Sequence, residues 1–139
     1  MRKVLLCFIL SAVAFTISAQ SSEVSNEVSQ AVTELTSLYD LDTKQVEQMT
    51  VIQQRHFKNL ADIASLKDTD KTKYLQKLSA NRKGTEASMY RMLNQTQRVI
   101  FNEQQAQRRI AESEIIKELK AQGLSSEEIR LQVIERTNG

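Results

Sequence analysis

The chain has no proline and no tryptophan, and only Gly84, Gly123 and Gly139 as glycines. Strand-rich and loop-rich folds need such residues at their turns, and this sequence has few to offer. Cys7 is the single cysteine and His56 the single histidine. No paired imidazoles offer metal-ligand spacing. Glycine-rich phosphate loops and dinucleotide fingerprints are absent, and the Ser, Asp and Glu residues show no nucleophile–base spacing. The expectation is a protein that is not an enzyme and carries no cofactor.

Residues 1–19 read as a cleavable signal peptide. Met1-Arg2-Lys3 is a short positive start. An apolar run follows from Val4 to Phe15 with Ser11 as its only polar member, and Thr16-Ile17-Ser18-Ala19 ends on a small residue. Val4 to Ala19 spans 16 residues, short of the ~20 needed to cross a bilayer, so an uncleaved anchor is the weaker reading. Ile17 stands where a small residue is usual, which leaves the cut open. Cys7 follows Leu6 and precedes most of the apolar stretch, the wrong place for lipid attachment. The mature chain therefore has no thiol and uses no disulfide, although the compartment of an exported chain would permit one.

Five aromatics lie beyond this segment: Tyr39, Phe57, Tyr74, Tyr90 and Phe101. A large core is excluded, and long thin-packed helices are favoured, since Gln, Glu, Lys, Arg, Ala and Leu dominate. Without Arg2 and Lys3 the chain has 17 bases against 17 acids. The charge is uneven: residues 20–42 hold five acids and no base, residues 43–109 hold 13 bases and six acids, and residues 110–139 hold six acids and four bases. A positive middle between acidic ends implies one basic surface, too mild and in the wrong compartment for nucleic acid.

Apolar spacing predicts an all-α chain of four to five helices. After a disordered lead-in over 20–25, Val28, Ala31, Val32, Leu35 and Leu38 mark a short helix ending at Tyr39-Asp40-Leu41. Asp42 caps the next; Gln45 completes a capping box, and Leu41 can staple onto Val46. Its apolar face continues through Met49, Ile52, His56 or Phe57, Leu60 and Ile63. A third helix from Asp68–Asp70 toward Leu93 carries Tyr74, Leu75, Leu78, Met89 and Met92. Gly84 inside it either allows a kink or close approach, or is simply tolerated. Asn94 and Gln97 repeat the capping box behind Leu93, and Val99, Ile100, Phe101, Ile110, Ile115, Ile116 and Leu119 follow. The interval Gln104–Arg109 reads as solvent-exposed. Gly123 ends this helix, and Ser125 or Ser126 caps a last short one.

The most specific feature is the repeat itself. Leu41-Asp42-Thr43-Lys44-Gln45 and Leu93-Asn94-Gln95-Thr96-Gln97 share the form Leu, cap, two free positions, Gln, 52 residues apart. In this the chain resembles the Spy/CpxP family of periplasmic helical proteins, whose hallmark is a pair of Leu-Thr-x-x-Gln motifs. The likeness covers roughly residues 30–110 and is best from Met92 to Arg109. Asp42 and Asn94 replace both motif threonines, keeping the capping chemistry while departing from the signature.

The resemblance implies a dimeric, cradle-shaped helical domain over 26–109, with residues 110–139 as a helical extension outside the likeness. It implies an ATP-independent chaperone of the envelope stress response, or a stress- or metal-responsive regulator that binds a membrane-bound sensor. Partners would be unfolded envelope proteins or that sensor, and a second copy of the chain. Leu41, Asp42, Gln45, Leu93, Asn94 and Gln97 are expected to be structural. Arg55, Phe57, Lys58, Lys73, Lys77 and Arg91 are the candidate client surface, although each also reads as an ordinary solvated charge or, for Phe57, a core residue. His56 lies seven residues after Met49 on one helix face, with Met89 and Met92 possible neighbours; the alternatives are a metal site and a half-buried histidine among core-filling thioethers.

Overall fold

The computed structural model describes residues 14–138, with side chains from residue 24 onward. Residues 1–13 of the expected signal peptide lie outside the described residues. The chain is all-α: α1 Ala14–Tyr39, α2 Thr43–Ile63, α3 Leu66–Thr69, α4 Lys71–Met92, α5 Gln95–Ala121 and α6 Ser126–Asn138. Six described helices replace the four to five expected, because the chain between α2 and α4 closes one further turn. The lead-in expected over 20–25 is helical instead, and α1 passes the expected cleavage point without a break. No Pro or Gly interrupts that stretch, and Ser and Gln lower helix propensity by only about 0.5 kcal/mol or less.

Helix ends lie where local chemistry puts them. Asp40 adopts a left-handed conformation, φ 50°, and lets the Leu41 N–H donate back to the Thr36 carbonyl at 3.2 Å, closing α1 with a C-terminal turn that Asp tolerates better than most residues. The Asp70 carboxylate accepts from the Lys73 N–H at 3.0 Å and starts α4. α5 ends on Gly123, φ 78°, with Gly123 N–H on the Lys120 carbonyl and Leu124 N–H on that of Leu119, the two bonds of a Schellman turn. Ser125 then caps α6, and the Glu128 carboxylate accepts from its backbone N–H at 2.8 Å. Gly84 causes no kink: α4 runs through it, and a Cβ there would meet nothing within 4 Å.

α1 packs on α2, α2 on α4, and α6 on both α4 and α5. The main core joins Val28, Val32, Tyr39, Leu41, Met49, Ile52, Met89, Leu93 and Phe101. Ile63 and Leu75 are buried near the α2–α4 turn, and Leu119, Ile129 and Ile134 where α6 returns. Ion pairs fasten α6 down, Lys71–Glu135 at 2.7 Å and Arg136–Glu118 at 3.0 Å. α6 thus packs on both α4 and α5 at the end distant from their connecting turn. Two apolar expectations fail on α5: Val99 and Ile110 are 56% and 54% exposed. They fall on the face that turns away from Phe101, and no neighbouring helix covers them. The interval Gln104–Arg109 is only partly solvated, since Arg108 reaches back to pair with Glu86.

Candidate functional site

The two capping boxes form as expected, and the structure joins them. Asp42 accepts from the Gln45 N–H at 2.9 Å and Asn94 from the Gln97 N–H at 3.0 Å. Each glutamine oxygen in turn accepts from its own cap N–H, at 3.2 and 2.9 Å. The same two side chains meet face to face: Gln45 Nε2 donates to Gln97 Oε1 at 2.7 Å, and Gln97 Nε2 to Gln45 Oε1 at 2.9 Å. Their remaining N–H groups go to the carbonyls of Met92, at 3.2 Å, and Asp40, at 3.3 Å. Those carbonyls belong to the ends of α4 and α1, which lack helical partners. One buried amide pair therefore satisfies two helix starts and two helix ends, with two donated and two accepted bonds per glutamine. Gln45 and Gln97 are 8% and 5% exposed, and a buried amide is tolerated only when its bonds are made. This is a structural lock with no chemistry of its own.

The repeat differs outside the lock. Leu41 and Leu93 are both buried, and Val46 packs against the same core as Leu41. At the matching position after Asn94 stands Arg98, whose guanidinium lies 4.6 Å over the Tyr90 ring and donates to the Tyr90 carbonyl at 3.0 Å. Tyr90 in turn tilts against Phe101, ring centres 5.6 Å apart.

These rings sit in an open groove of about 440 Å³ between α4 and α5, lined by Lys83, Glu86, Tyr90, Arg91, Phe101 and Gln105. Tyr90 is 40% exposed while Phe101 is buried. Glu86 is taken up by Arg108 and, at 3.9 Å, Arg82, which leaves Lys83 and Arg91 without a carboxylate partner among the described residues. Behind it, buried Tyr39 donates from its hydroxyl to Gln104, tying α1 to α5. Burial pushes that phenol above its ordinary value; Arg108 opposes the rise and Glu86 adds to it.

Of the six surface residues expected from sequence, Arg91 lines this groove. Arg55 lies near it and donates to the Ser88 hydroxyl at 2.8 Å, which Arg91 also reaches at 3.4 Å. Lys58 pairs with Asp62 at 3.0 Å on the exposed side of α2, and Lys73 and Lys77 are exposed on the first turns of α4. Phe57 is half-buried and packs against the main core. The six do not converge on one patch. Sequence reasoning missed Lys83, Tyr90, Phe101 and Gln105 as one site. Lys83, Ala87, Tyr90 and Arg91 recur at helical spacing, but nothing local signals that α5 splays away and leaves their face open.

Met49 and His56 share a helix but not partners. Gln53, between them, points its amide at the sulfurs of Met49, 3.6 Å, and Met89, 4.0 Å. His56 instead meets Thr85 and Asn81 across the α2–α4 seam, Nδ1 at 3.1 and 3.0 Å. Among the described residues no cluster of three His, Cys, Asp or Glu side chains could hold a metal, and no helix is long and apolar enough to cross a membrane. No family model, curated protein or solved structure matches the chain.

Proposed function

We propose that this is an exported, ATP-independent, chaperone-like protein of the cell envelope, of the Spy/CpxP type, that holds unfolded segments on the groove between α4 and α5. The observation that carries this reading is the pairing of exposed Tyr90 with the free cations Lys83 and Arg91. Such a surface attracts acidic and apolar stretches together without demanding a fixed sequence. The open, shallow form suits a chain passing across it better than a small substrate, which calls for an enclosing pocket.

The test is suppression of aggregation of an unrelated denatured protein at substoichiometric amounts. Tyr90→Ser combined with Lys83→Glu is expected to abolish suppression with the melting temperature little changed. No suppression by the unaltered chain at several-fold excess rejects the reading.

A second reading, a helix-face interaction module acting as a homodimer or docking on a membrane-bound sensor, is favoured by α5. Val99 and Ile110 lie three turns apart on one face, both more than half exposed. Sedimentation equilibrium checks the homodimer: Val99→Lys with Ile110→Lys is expected to shift a dimer to monomer.

A further inference from the structure

The α2–α4 seam holds a polar cluster that neither the capping motif nor the groove uses. Asn81 stands at its centre. Its Nδ2 donates to the His56 ring at Nδ1, 3.0 Å, and to the His56 backbone carbonyl, 3.1 Å; its Oδ1 accepts from Asn59 Nδ2 at 3.0 Å. Thr85 lies 3.1 Å from the same ring nitrogen and donates its hydroxyl to the Asn81 carbonyl at 2.9 Å. One α4 side chain thus grips two successive turns of α2. For Nδ1 to accept from Asn81, the imidazole must be neutral with its proton on Nε2.

We propose that His56, Asn81 and Thr85 form an acid-sensitive latch between α2 and α4, fastened while the imidazole is neutral and released at Asn81 when Nδ1 takes a proton. Protonation sets an N–H against an N–H. Asn81 Nδ2 loses the ring as an acceptor and keeps only the His56 carbonyl, while the Thr85 oxygen is the acceptor left facing Nδ1.

Among the described residues no charge is placed to hold the imidazolium. On α2, Arg55 turns to Ser88 and Lys58 to Asp62. On α4, Arg82 and Glu86 face α5 and α6, with Glu112 and Arg108, and Lys83 lines the groove. On α1, which packs along α2, Glu27 and Glu34 are exposed. None of these pairs with the ring, whose contacts are Asn81, Thr85 and the edge of Phe57 at 5.2 Å. In agreement, burial holds the imidazole below its ordinary 6.5. A depressed histidine contributes stability that is complete above 6.5 and is lost as the pH falls below it, because the unfolded chain takes up the proton first. His56 is the only histidine, so no other side chain ordinarily titrates between about pH 5 and 8. Release there would loosen the turn end of the pair, where Ile63 and Leu75 are buried. The latch stands whatever the chain binds.

The test is a proton NMR titration of the His56 ring in the full chain, read together with the Asn59 and Asn81 side-chain amides, and urea unfolding at pH 7.5 and 5. The expected ring midpoint is below 6.5, both amides shift with that midpoint, and the unfolding constant rises on acidification by about tenfold per unit of depression. His56→Gln should remove the rise. Asn81→Asp, which places a carboxylate against Nδ1 without changing side-chain size, should move the midpoint above 6.5 and reverse the pH trend. A wild-type midpoint at or above 6.5, amides that ignore it, or an undiminished acid response in His56→Gln overturns the latch. Should His56→Gln fail to fold, the wild-type and Asn81→Asp titrations decide.

Discussion

Gln45 and Gln97 each depend on the other for half of their hydrogen bonds. Replacing either by Ala leaves its partner amide short of one donated and one accepted bond, and takes the glutamine from a cap N–H and a helix-end carbonyl. A buried group left unsatisfied costs about 1–3 kcal/mol, so each single replacement is expected to cost about 2 kcal/mol in urea unfolding. The double replacement should cost clearly less than the two singles together, since the second removes groups already orphaned. Additive losses in that cycle would mean that the two boxes act separately. The cap residues carry less: Asp42→Ala and Asn94→Ala are each expected to lose about 1 kcal/mol, and unchanged melting temperatures in both would remove the capping argument. Asp40 points the other way. Its φ of 50° is one that glycine adopts freely, so Asp40→Gly should raise stability by up to about 1 kcal/mol.

Among the elements, the two glycines inside the described chain make opposite demands. Gly84 sits mid-helix with open space around it, and Gly84→Ala is expected to stabilise by about 0.5–1 kcal/mol. Gly123 holds φ 78° at the end of α5, and Ala there should destabilise by about 1 kcal/mol or more. Thermal unfolding of the two variants should separate in sign.

The start residues of α2 and α5 and the end of α5 were legible in the sequence because each rests on side chains within a few positions of the boundary: Asp42 with Gln45, Asn94 with Gln97, and Gly123; the start of α4 was legible only to within Asp68–Asp70, because α3 occupies part of that range. The extent of α1 was not, because Ser and Gln near residue 20 neither favour nor forbid a helix strongly. Exposure of Val99 and Ile110 depends on which helix lies opposite, and periodicity does not report that. The same holds for the groove: Tyr90 and Phe101 meet across two helices, 11 positions apart, only through the way α5 packs back beside the end of α4. The link between the glutamines was half legible. The repeat of Leu, cap and Gln was plain, but contact between sites 52 positions apart is a property of the packing.

Over the whole molecule, the apolar side chains fall into a main core at the lock end and a smaller group around Leu119, Ile129 and Ile134. α6 is what connects α4 to α5 at that second end. Removing residues 124–139 would expose Leu119, which is fully buried, and strip Arg82 of its contact with Thr137. The expected outcome is a lower and broader thermal transition with the lock end retained, seen as slow hydrogen exchange at Gln45 and Gln97 while the part of α4 before Gly84, which α6 contacts through Lys71 and Arg82, exchanges faster. Equal acceleration everywhere would show a single cooperative unit. The groove lies between the two helices that α6 joins, so binding of denatured protein is expected to change with the truncation even though no groove residue is lost.

The glutamine pair also bears on the order of assembly. A helix start normally forms from its own neighbours within microseconds. Here each capping box closes on its own neighbours, but its glutamine amide is fully bonded only when the other box has arrived. The closing step brings together distant segments of the chain, and its loop entropy is met before either amide gains its partner. Stopped-flow refolding should therefore find that substitutions at Gln45 and Gln97 slow folding to the same degree, two remote positions reporting a single event.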